Sequence, residues 1–363
     1  MLLTDYLINH KADLLSGLEK LNRLSGSSMT LFVQDNNGAV IGALTDGDIR
    51  RALIGGAPLS TPVADAAKKD FKAIRPQCDN VVETLRSLRE RRIMLVPVLD
   101  ANSRLVDIID LSTTRNRLPL TAILMAGGKG ERLRPLTLTR PKPLLEIEGK
   151  AIIDYNIEAL AEVGISNIWV STNYLAEQLY EHFDEPVAGV KVNCVRESQP
   201  LGTIGSATLV PLAAEGDSLV MNSDLITNIS FEELYLKHVT SDADITIAVI
   251  PYQVAIPFAI LSLEGESVTG LQEKPSYSYY ANAGIYIMRN SVLRTLSPDT
   301  RTDATDLIEQ TIARGGRVSY YPIKGTWIDV GSPTDFRQAA ELMRHQKGFN
   351  INPNRHRETK EQK

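Results

Sequence analysis

Residues 125–143, MAGGKGERLRPLTLTRPKP, combine glycines and basic side chains in the way that phosphate-binding loops do. They begin at the end of an apolar run, Leu120 to Met125, that is typical of a buried strand. Gly127, Gly128 and Gly130 let backbone amides approach an anion closely, and nearby basic side chains neutralise its charge. The basic residues of the segment are Lys129, Arg132, Arg134, Arg140 and Lys142. The segment therefore predicts a cradle for a polyphosphate, and residues 126–130 are called the phosphate loop below.

Two common phosphate-binding motifs are excluded by the residues around Gly130. A Walker A loop requires Lys and then Ser or Thr after its last glycine, whereas Glu131 and Arg132 follow here. A dinucleotide-binding fingerprint requires a small residue three positions after its second glycine, and that position is Leu133. The alternative is a mobile glycine turn with a solvated basic face, and the added sequences RLRPLT at 132–137 and RPKP at 140–143 argue against it.

Residues 126–143 resemble the signature of the sugar-1-phosphate nucleotidyltransferases, also called sugar-nucleotide pyrophosphorylases. Those enzymes join a nucleoside triphosphate to a sugar phosphate and release pyrophosphate. The resemblance implies catalytic roles for Arg132 and Lys142. It implies nucleotide binding by Ala126, Gly127, Gly128 and Gly130.

Three motifs further along the chain resemble the nucleotide and metal sites of the same family. The sequence QPLGT at residues 199–203 resembles the segment that borders the base, which implies nucleotide binding by Gln199, Gly202 and Thr203. Asp224 follows an apolar run at the position of the family's first metal-binding aspartate. The sequence WIDVG at residues 327–331 resembles the segment that carries the second one, Asp329.

Two more motifs resemble the part of the family's site that holds the sugar and its phosphate. Glu273-Lys274-Pro275 resembles the EKP motif, and the sequence NAGIY at residues 282–286 resembles the strand beside the sugar. The resemblance implies sugar-phosphate binding by Glu273, Lys274, Asn282 and Gly284. It covers roughly residues 120–340, and its motifs occur in the family's order.

The implied reaction explains why these residue types are needed. A sugar-phosphate oxygen attacks the α-phosphorus of a triphosphate, so two anions must be aligned and their charge neutralised, and no covalent nucleophile is required. Mg²⁺ prefers oxygen ligands and often binds one or two carboxylates plus substrate phosphates, which suits Asp224 and Asp329. Arg132 can bind the triphosphate bidentately, while Lys142 offers a compact charge near the α-phosphate or the sugar phosphate.

Each site residue also has a structural alternative. Asp224 would then cap the next segment, Glu273 and Lys274 would form a surface ion pair, and Asp329 would be a buried hydrogen-bonded carboxylate. The order and spacing of the motifs favour the site. Two residues depart from the family pattern: Glu131 stands where threonine is usual, and Ser223 where many members have glycine.

Composition predicts a cytoplasmic enzyme. The chain has 363 residues and a net charge of −5, which argues against a general nucleic-acid binder. Cys78 and Cys194 show no metal-ligand spacing and the five histidines do not cluster, which fits a reducing compartment without structural zinc. The amino terminus is interrupted by charged residues and does not resemble a signal peptide, and no apolar run has the length of a membrane span.

Strand and helix patterns alternate after residue 117. Helices are predicted over Ile152–Val163 and Leu175–Phe183, with strands at Leu120–Met125 and Asn167–Thr172. Further strands are predicted at Ala243–Ile250, Phe258–Leu263, Asn282–Met288 and Val318–Ile323. This predicts an α/β fold, a Rossmann-like, mainly parallel sheet flanked by helices, as a catalytic domain of residues 118–343. Residues 344–363 are predicted to be a polar, flexible tail.

Residues 1–117 contain an internal repeat with a period of 65 residues, since LFVQDNNG at 31–38 recurs as VPVLDANS at 96–103. The sequence GALTDGDIRR at residues 42–51 resembles the end of a CBS motif, a module that works in tandem and often binds adenine nucleotides. The resemblance implies an α+β CBS pair in which Thr45 and Asp48 face a ribose. A structural or dimerising platform that binds nothing is equally consistent with the sequence.

The sequence therefore predicts a metal-dependent sugar-1-phosphate nucleotidyltransferase with an amino-terminal CBS pair, resembling the guanylyltransferases of bacterial nonulosonic (legionaminic) acid routes. The expected substrates are GTP and glucosamine 1-phosphate or mannose 1-phosphate, the cofactor is Mg²⁺, and a homo-oligomer without nucleic-acid or membrane partners is expected. A uridylyl- or thymidylyltransferase remains open, because the Gln199 amide both donates and accepts hydrogen bonds. A regulatory protein that binds nucleotide without turnover also remains open, and Glu131 is its support.

Overall fold

A computed structural model describes residues 2–24, 29–76 and 80–347 and divides them into two compact units. The first unit comprises the described residues up to Arg117 together with Glu162–Gly164, and the second comprises Leu118–Ala161 and the described residues from Ile165 onward. Each unit has its own clusters of buried apolar side chains. Within the described ranges, no helix combines the length and apolar character needed to cross a membrane.

The first unit repeats one helix and strand pattern. Its elements are β1 (Leu7–Asn9), α1 (Leu14–Arg23), β2 (Thr30–Gln34), β3 (Val40–Thr45), α2 (Asp46–Ile54), α3 (Val63–Ala66), α4 (Val81–Glu90), β4 (Leu95–Leu99) and β5 (Leu105–Asp110). Strands β2 and β3 are antiparallel, and so are β4 and β5. The order α1–β2–β3 thus recurs as α4–β4–β5.

The two copies have the same irregularities in strand register, and these lie 65 residues apart in the sequence. The antiparallel register shifts between Val33 and Gln34 in the first copy and between Val98 and Leu99 in the second. The turns also match. Asp35 Oδ1 accepts the amides of residues 37 and 39, and Asp100 Oδ1 accepts those of residues 102 and 104, at 2.8–2.9 Å. Each aspartate satisfies turn amides that would otherwise lack partners, which explains why the pattern is repeated in the sequence.

The second unit is built on a mixed sheet. Its strands are β6 (Leu120–Met125), β7 (Glu146–Ile147), β8 (Lys150–Ala151), β9 (Asn167–Thr172), β10 (Val192–Arg196), β11 (Asp217–Asn222), β12 (Leu225–Thr227), β13 (Ile245–Ala255), β14 (Ile260–Glu264), β15 (Ser267–Gln272), β16 (Ser276–Arg289), β17 (Val318–Pro322) and β18 (Trp327–Asp329). Its helices are α5 (Ile152–Glu162), α6 (Ala176–His182), α7 (Phe231–Thr240), α8 (Asn290–Leu293), α9 (Ala304–Ala313) and α10 (Pro333–Lys347).

Among the described residues the main sheet has seven strands in the order β10-β9-β6-β11-β16-β13-β17. Strand β16 is antiparallel to both of its neighbours, and the other pairings are parallel. The α/β, mainly parallel sheet predicted from the sequence is therefore present. Strand β6 is apolar on both faces because Ala122, Ile123 and Leu124 are all fully buried, as expected of a central parallel strand. Strands β6 and β11 run side by side, so the loops that follow them meet at one edge.

Two predictions extend beyond the described residues. The predicted tail begins at residue 344, but α10 continues to Lys347, and residues 348–363 lie outside the described part of the chain. Cys78 lies outside it as well. Cys194, in β10, is a free thiol whose burial raises its pKa to about 11, so it stays protonated at neutral pH.

Candidate active site

The phosphate loop leaves the sheet at the end of β6 and folds back against the residues that follow it. Gly130 has φ +62°, and a Cβ there would lie 2.9 Å from Thr137 Cγ2. The Thr137 hydroxyl donates to the Gly130 carbonyl at 2.8 Å. Both the left-handed backbone and the close contact require glycine at this position. Gly130 thus lets the phosphate loop fold against Thr137.

Lys142 joins the two predicted metal ligands. Its Nζ forms an ion pair with Asp224 Oδ2 and lies 3.6 Å from Asp329 Oδ1. Asp224 follows β11, and Asp329 ends β18, which pairs with β12 so that Leu225 is opposite Asp329. The pairing of these short strands therefore brings together two carboxylates that are 105 positions apart in the sequence.

The electrostatics of this cluster suit a divalent cation. Burial raises the pKa of Asp329, and the neighbouring Asp224 carboxylate raises it further, while Lys142 and Arg132 act in the opposite direction. Asp224 Oδ1 is buried and has no hydrogen-bond partner among the described residues. Two carboxylates, one with an unsatisfied buried oxygen, fit Mg²⁺ that takes its other ligands from substrate phosphates and water. No group of three or more His, Cys, Asp or Glu residues within the described ranges forms a larger metal site.

A cavity of about 680 Å³ lies against the phosphate loop. Nine of the predicted site residues line it: Ala126, Gly127, Gly128, Gly130, Arg132, Lys142, Gly202, Thr203 and Asp224. The wall also includes Glu197, Arg301 and Asp303, which the sequence motifs did not identify. A cavity of this size is within the range of small-ligand sites.

Glu197 is the most buried of these additional residues, with 6% of its surface exposed. Its Oε2 accepts the Leu201 amide at 3.0 Å, and a Cβ added to Gly127 would lie 2.7 Å from its Oε1. Burial raises its pKa, against hydrogen bonds from Leu201, Ser171 and Ser206 that lower it. Glu197 therefore braces the phosphate loop against residues 199–203. Its position directly after the parallel strand β10 is the sequence feature that indicates a site residue.

Residues 199–203 bind to the loop that precedes α9. Gly202 has φ +81°, and a Cβ there would lie 2.5 Å from the Thr302 carbonyl oxygen. The Thr203 amide donates to Asp303 Oδ1, and the Thr203 hydroxyl accepts the Ala304 amide at 2.8 Å. These contacts fix two of the predicted nucleotide-binding residues. Gln199 instead donates to the Asp299 carbonyl and does not line the cavity.

The predicted sugar-side residues are placed in two different surroundings. Asn282 accepts the Gly284 amide and donates to the Tyr286 hydroxyl. Gly284 has φ +68°, and a Cβ there would lie 2.5 Å from Asn222 Nδ2, which places this irregular part of β16 beside the end of β11. Glu273 and Lys274 are exposed on a projecting segment and are absent from the cavity wall among the described residues.

Glu131 lines the cavity together with Arg132. The Glu131 side chain is 65% exposed and lies 3.5 Å from Arg134, three residues later. Arg132 Nη1 would be 3.7 Å from a Cβ on Gly331. The acid that departs from the family pattern is therefore at the edge of the site, where it is largely exposed and paired with a basic side chain.

Thr45 and Asp48, the predicted CBS ligands, hydrogen-bond to each other in the first unit. The Thr45 hydroxyl donates to Asp48 Oδ2 at 2.6 Å, and each side chain accepts the other residue's amide. Together they form the capping box of α2, while Arg51 pairs with Asp48 on its outer side. Their polar groups have a structural role whether or not a nucleotide binds.

Comparison with known proteins matches residues 121–346 to the family described as Nucleotidyl transferase. This chain belongs to the nucleotidyl transferase family. Its α/β fold is thus that of a nucleotidyl transferase.

Similar nucleotidyl transferases include two named mannose-1-phosphate guanylyltransferase catalytic subunit beta. The one from Dictyostelium discoideum is 31% identical over 225 residues, 60% of this chain and 62% of the relative. The one from Danio rerio is 31% identical over 251 residues, 63% of this chain and 69% of the relative. The chain thus spans less than two thirds of the first relative's length. Among solved structures, a UDP-glucose pyrophosphorylase from Acinetobacter baumannii matches 64% of this chain and 99% of its own, with 20% identity and a TM-score of 0.48.

Proposed function

We propose that the protein transfers a nucleoside monophosphate from a nucleoside triphosphate to a hexose 1-phosphate and releases pyrophosphate. The observation that carries this proposal is the meeting of Lys142, Asp224 and Asp329 beside the cavity that the phosphate loop borders. Joining two phosphate anions requires cationic charge where they meet, and this cluster supplies a lysine and a place for a metal.

The chain's own residues bind and align the substrates. Amides of the phosphate loop hold the triphosphate, and Arg132 donates parallel hydrogen bonds to its oxygens. Lys142, which pairs with Asp224 and Asp329, would offer its ammonium group to the α-phosphate. The acceptor's own phosphate oxygen is the attacking atom, so no side-chain nucleophile takes part. When bound by Asp224 and Asp329, Mg²⁺ would neutralise charge on the α-phosphate.

The sugar phosphate is assigned to residues of β16 and to the residues that follow β15. Asn282 and Gly284 lie beside Asn222, next to the carboxylate cluster. Lys274 has φ +40° at the junction between β15 and β16, and its exposed ammonium group would bind the phosphate of the sugar. Glu273 would accept a sugar hydroxyl.

We assign GTP as the nucleotide and mannose 1-phosphate or glucosamine 1-phosphate as the acceptor. The relatives named mannose-1-phosphate guanylyltransferase support this assignment. The product would be a cytoplasmic precursor of surface glycans or of a nonulosonic acid. Pyrophosphate release from GTP, UTP, dTTP, CTP and ATP with a panel of hexose 1-phosphates tests it. Release only with UTP or dTTP refutes the guanylyl assignment, and nucleotide binding without release from any pair refutes the enzyme.

We propose that the first unit is a tandem CBS module with a regulatory role. The support is the α–β–β pattern repeated 65 residues apart, with matching register shifts and turns. An adenine nucleotide bound beside Thr45 and Asp48 would share the hydrogen bonds of their capping box. Calorimetry of the full chain with ATP and AMP tests this: heat of binding that is lost in Asp48→Ala supports a sensor, and its absence in the unaltered chain supports a platform.

A further inference from the structure

The turn between β9 and α6 contacts the chain just after the phosphate loop. The Tyr174 hydroxyl shares its proton between the carbonyls of Thr137, at 3.0 Å, and Leu138, at 3.2 Å. On α6, the Gln178 side-chain amide donates to the Thr139 carbonyl at 2.8 Å. Three successive carbonyls are thus held by the side chains of Tyr174 and Gln178, which are called the clamp below.

The segment that the clamp holds, residues 136–139, is not anchored by its leucines. Leu136 and Leu138 are 47% and 53% exposed, so burial of their apolar surface contributes little to the position of the segment. Thr137 is fully buried, and its hydroxyl donates to the Gly130 carbonyl at 2.8 Å. The hydrogen bonds of the clamp therefore reach the phosphate loop through Thr137.

The turn that carries Tyr174 is itself fixed to the main sheet. The Glu197 amide donates to the Thr172 carbonyl at 2.8 Å, and the Asn173 side-chain amide donates to the Glu197 carbonyl at 3.1 Å. A side chain holds another group in place only when its own backbone is held, and these contacts hold the backbone before Tyr174.

Backbone strain also marks this turn. Leu175 has φ +50° and ψ +40°, the left-handed conformation that is unfavourable for a residue with a β-carbon. Such strain persists only where the surrounding structure requires it, and it is concentrated at functional sites. Leu175 lies between Tyr174 and the first residue of α6, so the direction of the helix that carries Gln178 depends on this strained conformation.

We propose that the clamp positions the phosphate loop for the triphosphate, with Tyr174 acting through Thr137. The inference rests on the reaction assigned above, because it concerns how the loop of that site is held. Neither Tyr174 nor Gln178 lines the cavity, so both are positioning residues that do not touch the substrates. Backbone amides bind a phosphate only when several of them converge on it, so a displaced Gly130 weakens nucleotide binding. The residues assigned to the sugar phosphate are on β16 and after β15, outside the clamped segment.

Steady-state kinetics of Tyr174→Phe with GTP, Mg²⁺ and mannose 1-phosphate test the proposal. We expect the KM for GTP to rise about five- to tenfold, with less than about a twofold change in the KM for mannose 1-phosphate and in kcat. Gln178→Met keeps the length of the side chain, removes the donor and should raise the same KM. Tyr180→Phe removes a hydroxyl from an exposed tyrosine of the same helix and should leave all three constants unchanged.

A double-mutant cycle tests whether Tyr174 acts through Thr137. Thr137→Val removes the hydroxyl that donates to Gly130 and should raise the KM for GTP by itself. Because the two side chains lie on one path, the combined effect of Thr137→Val and Tyr174→Phe should be clearly smaller than the product of the single effects.

Hydrogen–deuterium exchange of the full chain without nucleotide measures the loop directly. Tyr174→Phe and Gln178→Met should each speed exchange of the backbone amides of residues 126–139, because the clamp no longer limits local opening there. Exchange of strand β11, which the clamp does not contact, should stay unchanged.

Three results would overturn the proposal. One is an unchanged KM for GTP in Tyr174→Phe, which would make its hydroxyl a purely structural group. Another is an equal rise of both KM values, which would indicate general disruption of the site. The third is unchanged exchange of residues 126–139 in both Tyr174→Phe and Gln178→Met. A wild-type chain that releases no pyrophosphate with any substrate pair would instead refute the proposed function, and exchange would still show whether the clamp holds the loop.

Discussion

Glu131 and Arg132 both line the cavity but have different partners. The Glu131 side chain is largely exposed and pairs with Arg134, whereas the Arg132 charge lowers the pKa of Asp329. We expect Glu131→Gln to change the KM for the nucleotide less than about threefold, because the Glu131 side chain is 65% exposed and its charge is paired with Arg134. Arg132→Ala should raise that KM about tenfold or more, since a hydrogen bond to a charged group contributes about 1.5–3 kcal/mol.

Initial rates of pyrophosphate release over a range of nucleotide concentrations measure both effects. A large loss in Glu131→Gln with little change in Arg132→Ala would reverse the assigned roles of the two side chains.

Glu197 provides a pH-dependent test of the brace beneath the phosphate loop. Burial raises its pKa above the ordinary 4.5, so the folded chain binds this proton more tightly than the unfolded chain. At a pH above the folded-state pKa of Glu197, the buried charge of its carboxylate lowers the free energy of unfolding. This destabilisation disappears as the pH falls through the folded-state pKa toward the ordinary value of 4.5. We expect Glu197→Gln to unfold at higher urea concentration than the wild type at pH 7, with an advantage that shrinks on acidification.

Urea unfolding followed by fluorescence across this pH range would measure the difference. A variant that is less stable at pH 7, by an amount that does not vary with pH, would show that the carboxylate's hydrogen bonds outweigh its burial.

Sequence motifs predicted Asp224 at the end of one strand but missed Glu197 at the end of another, and they missed Arg301 and Asp303 in the loop before α9. Asp224 follows β11 beside the end of β6, so its place near the phosphate loop follows from topology. Arg301 and Asp303 enter the cavity wall through contacts of Thr302 and Asp303 with residues 202 and 203. Such docking depends on a left-handed glycine and one carbonyl contact, which no residue pattern records. Gln199, two residues from Glu197, lies outside the cavity wall because its side-chain amide donates to the Asp299 carbonyl, which is again a loop contact.

At the scale of elements, Gly202 decides how the QPLGT segment meets the loop before α9. A side chain there would be strained at φ +81° and would contact the Thr302 carbonyl at 2.5 Å. We expect Gly202→Ala to lower the free energy of unfolding by about 2 kcal/mol or more, since a left-handed non-glycine residue alone costs roughly 1–2 kcal/mol. It should also raise the KM for the nucleotide by displacing Thr203.

Gly189→Ala is the matched control for this variant. Gly189 has φ +77° with no atom within 4 Å of an added Cβ, so alanine there incurs the backbone strain without the contact. Urea unfolding and steady-state kinetics of both variants separate the two causes. Equal losses in both would show that docking against Thr302 contributes nothing.

The capping box of α2 makes a second prediction at this scale. Burial opposes ionisation of Asp48, but hydrogen bonds from Thr45 and the pairing with Arg51 hold its pKa below the ordinary 3.8. Thr45→Val removes the capping hydroxyl and should cost about 1 kcal/mol at pH 7. Because the pKa of Asp48 is lower in the folded chain than in the unfolded chain, ionised Asp48 stabilises the fold above pH 3.8. This stabilisation is lost as the pH falls through the folded-state pKa. The free-energy cost of Thr45→Val should therefore shrink below pH 3.8.

Thr45→Ser retains the hydroxyl and serves as the control. Thermal unfolding by circular dichroism at pH 7 and below pH 4 would compare the three proteins. Unchanged stability in Thr45→Val would mean that the hydroxyl does not support the helix and would leave ligand binding as its role.

At the scale of the whole molecule, the sequence predicted the order of elements better than their extent. The alternating pattern identified β6, α5, β9 and α6 to within a residue or two. It did not predict that β13 extends to Ala255 or that β16 begins as early as Ser276. The reason is that a strand has the same alternating pattern of residues whether or not another element covers it. The exposure of these outer halves, and that of Lys274, is visible only when burial is known.

The central claim is that Asp224 and Asp329, joined by Lys142, form the catalytic centre of a nucleotidyl transferase. Mg²⁺-dependent pyrophosphate release from GTP and mannose 1-phosphate by Asp224→Asn and Asp329→Asn tests it most directly. Asp184→Asn, an exposed aspartate outside the cavity, is the control. We predict that either active-site variant loses at least about a hundredfold in kcat with an unchanged circular dichroism spectrum, while the control keeps full activity. Turnover within twofold of the wild type in Asp224→Asn or Asp329→Asn would contradict the account.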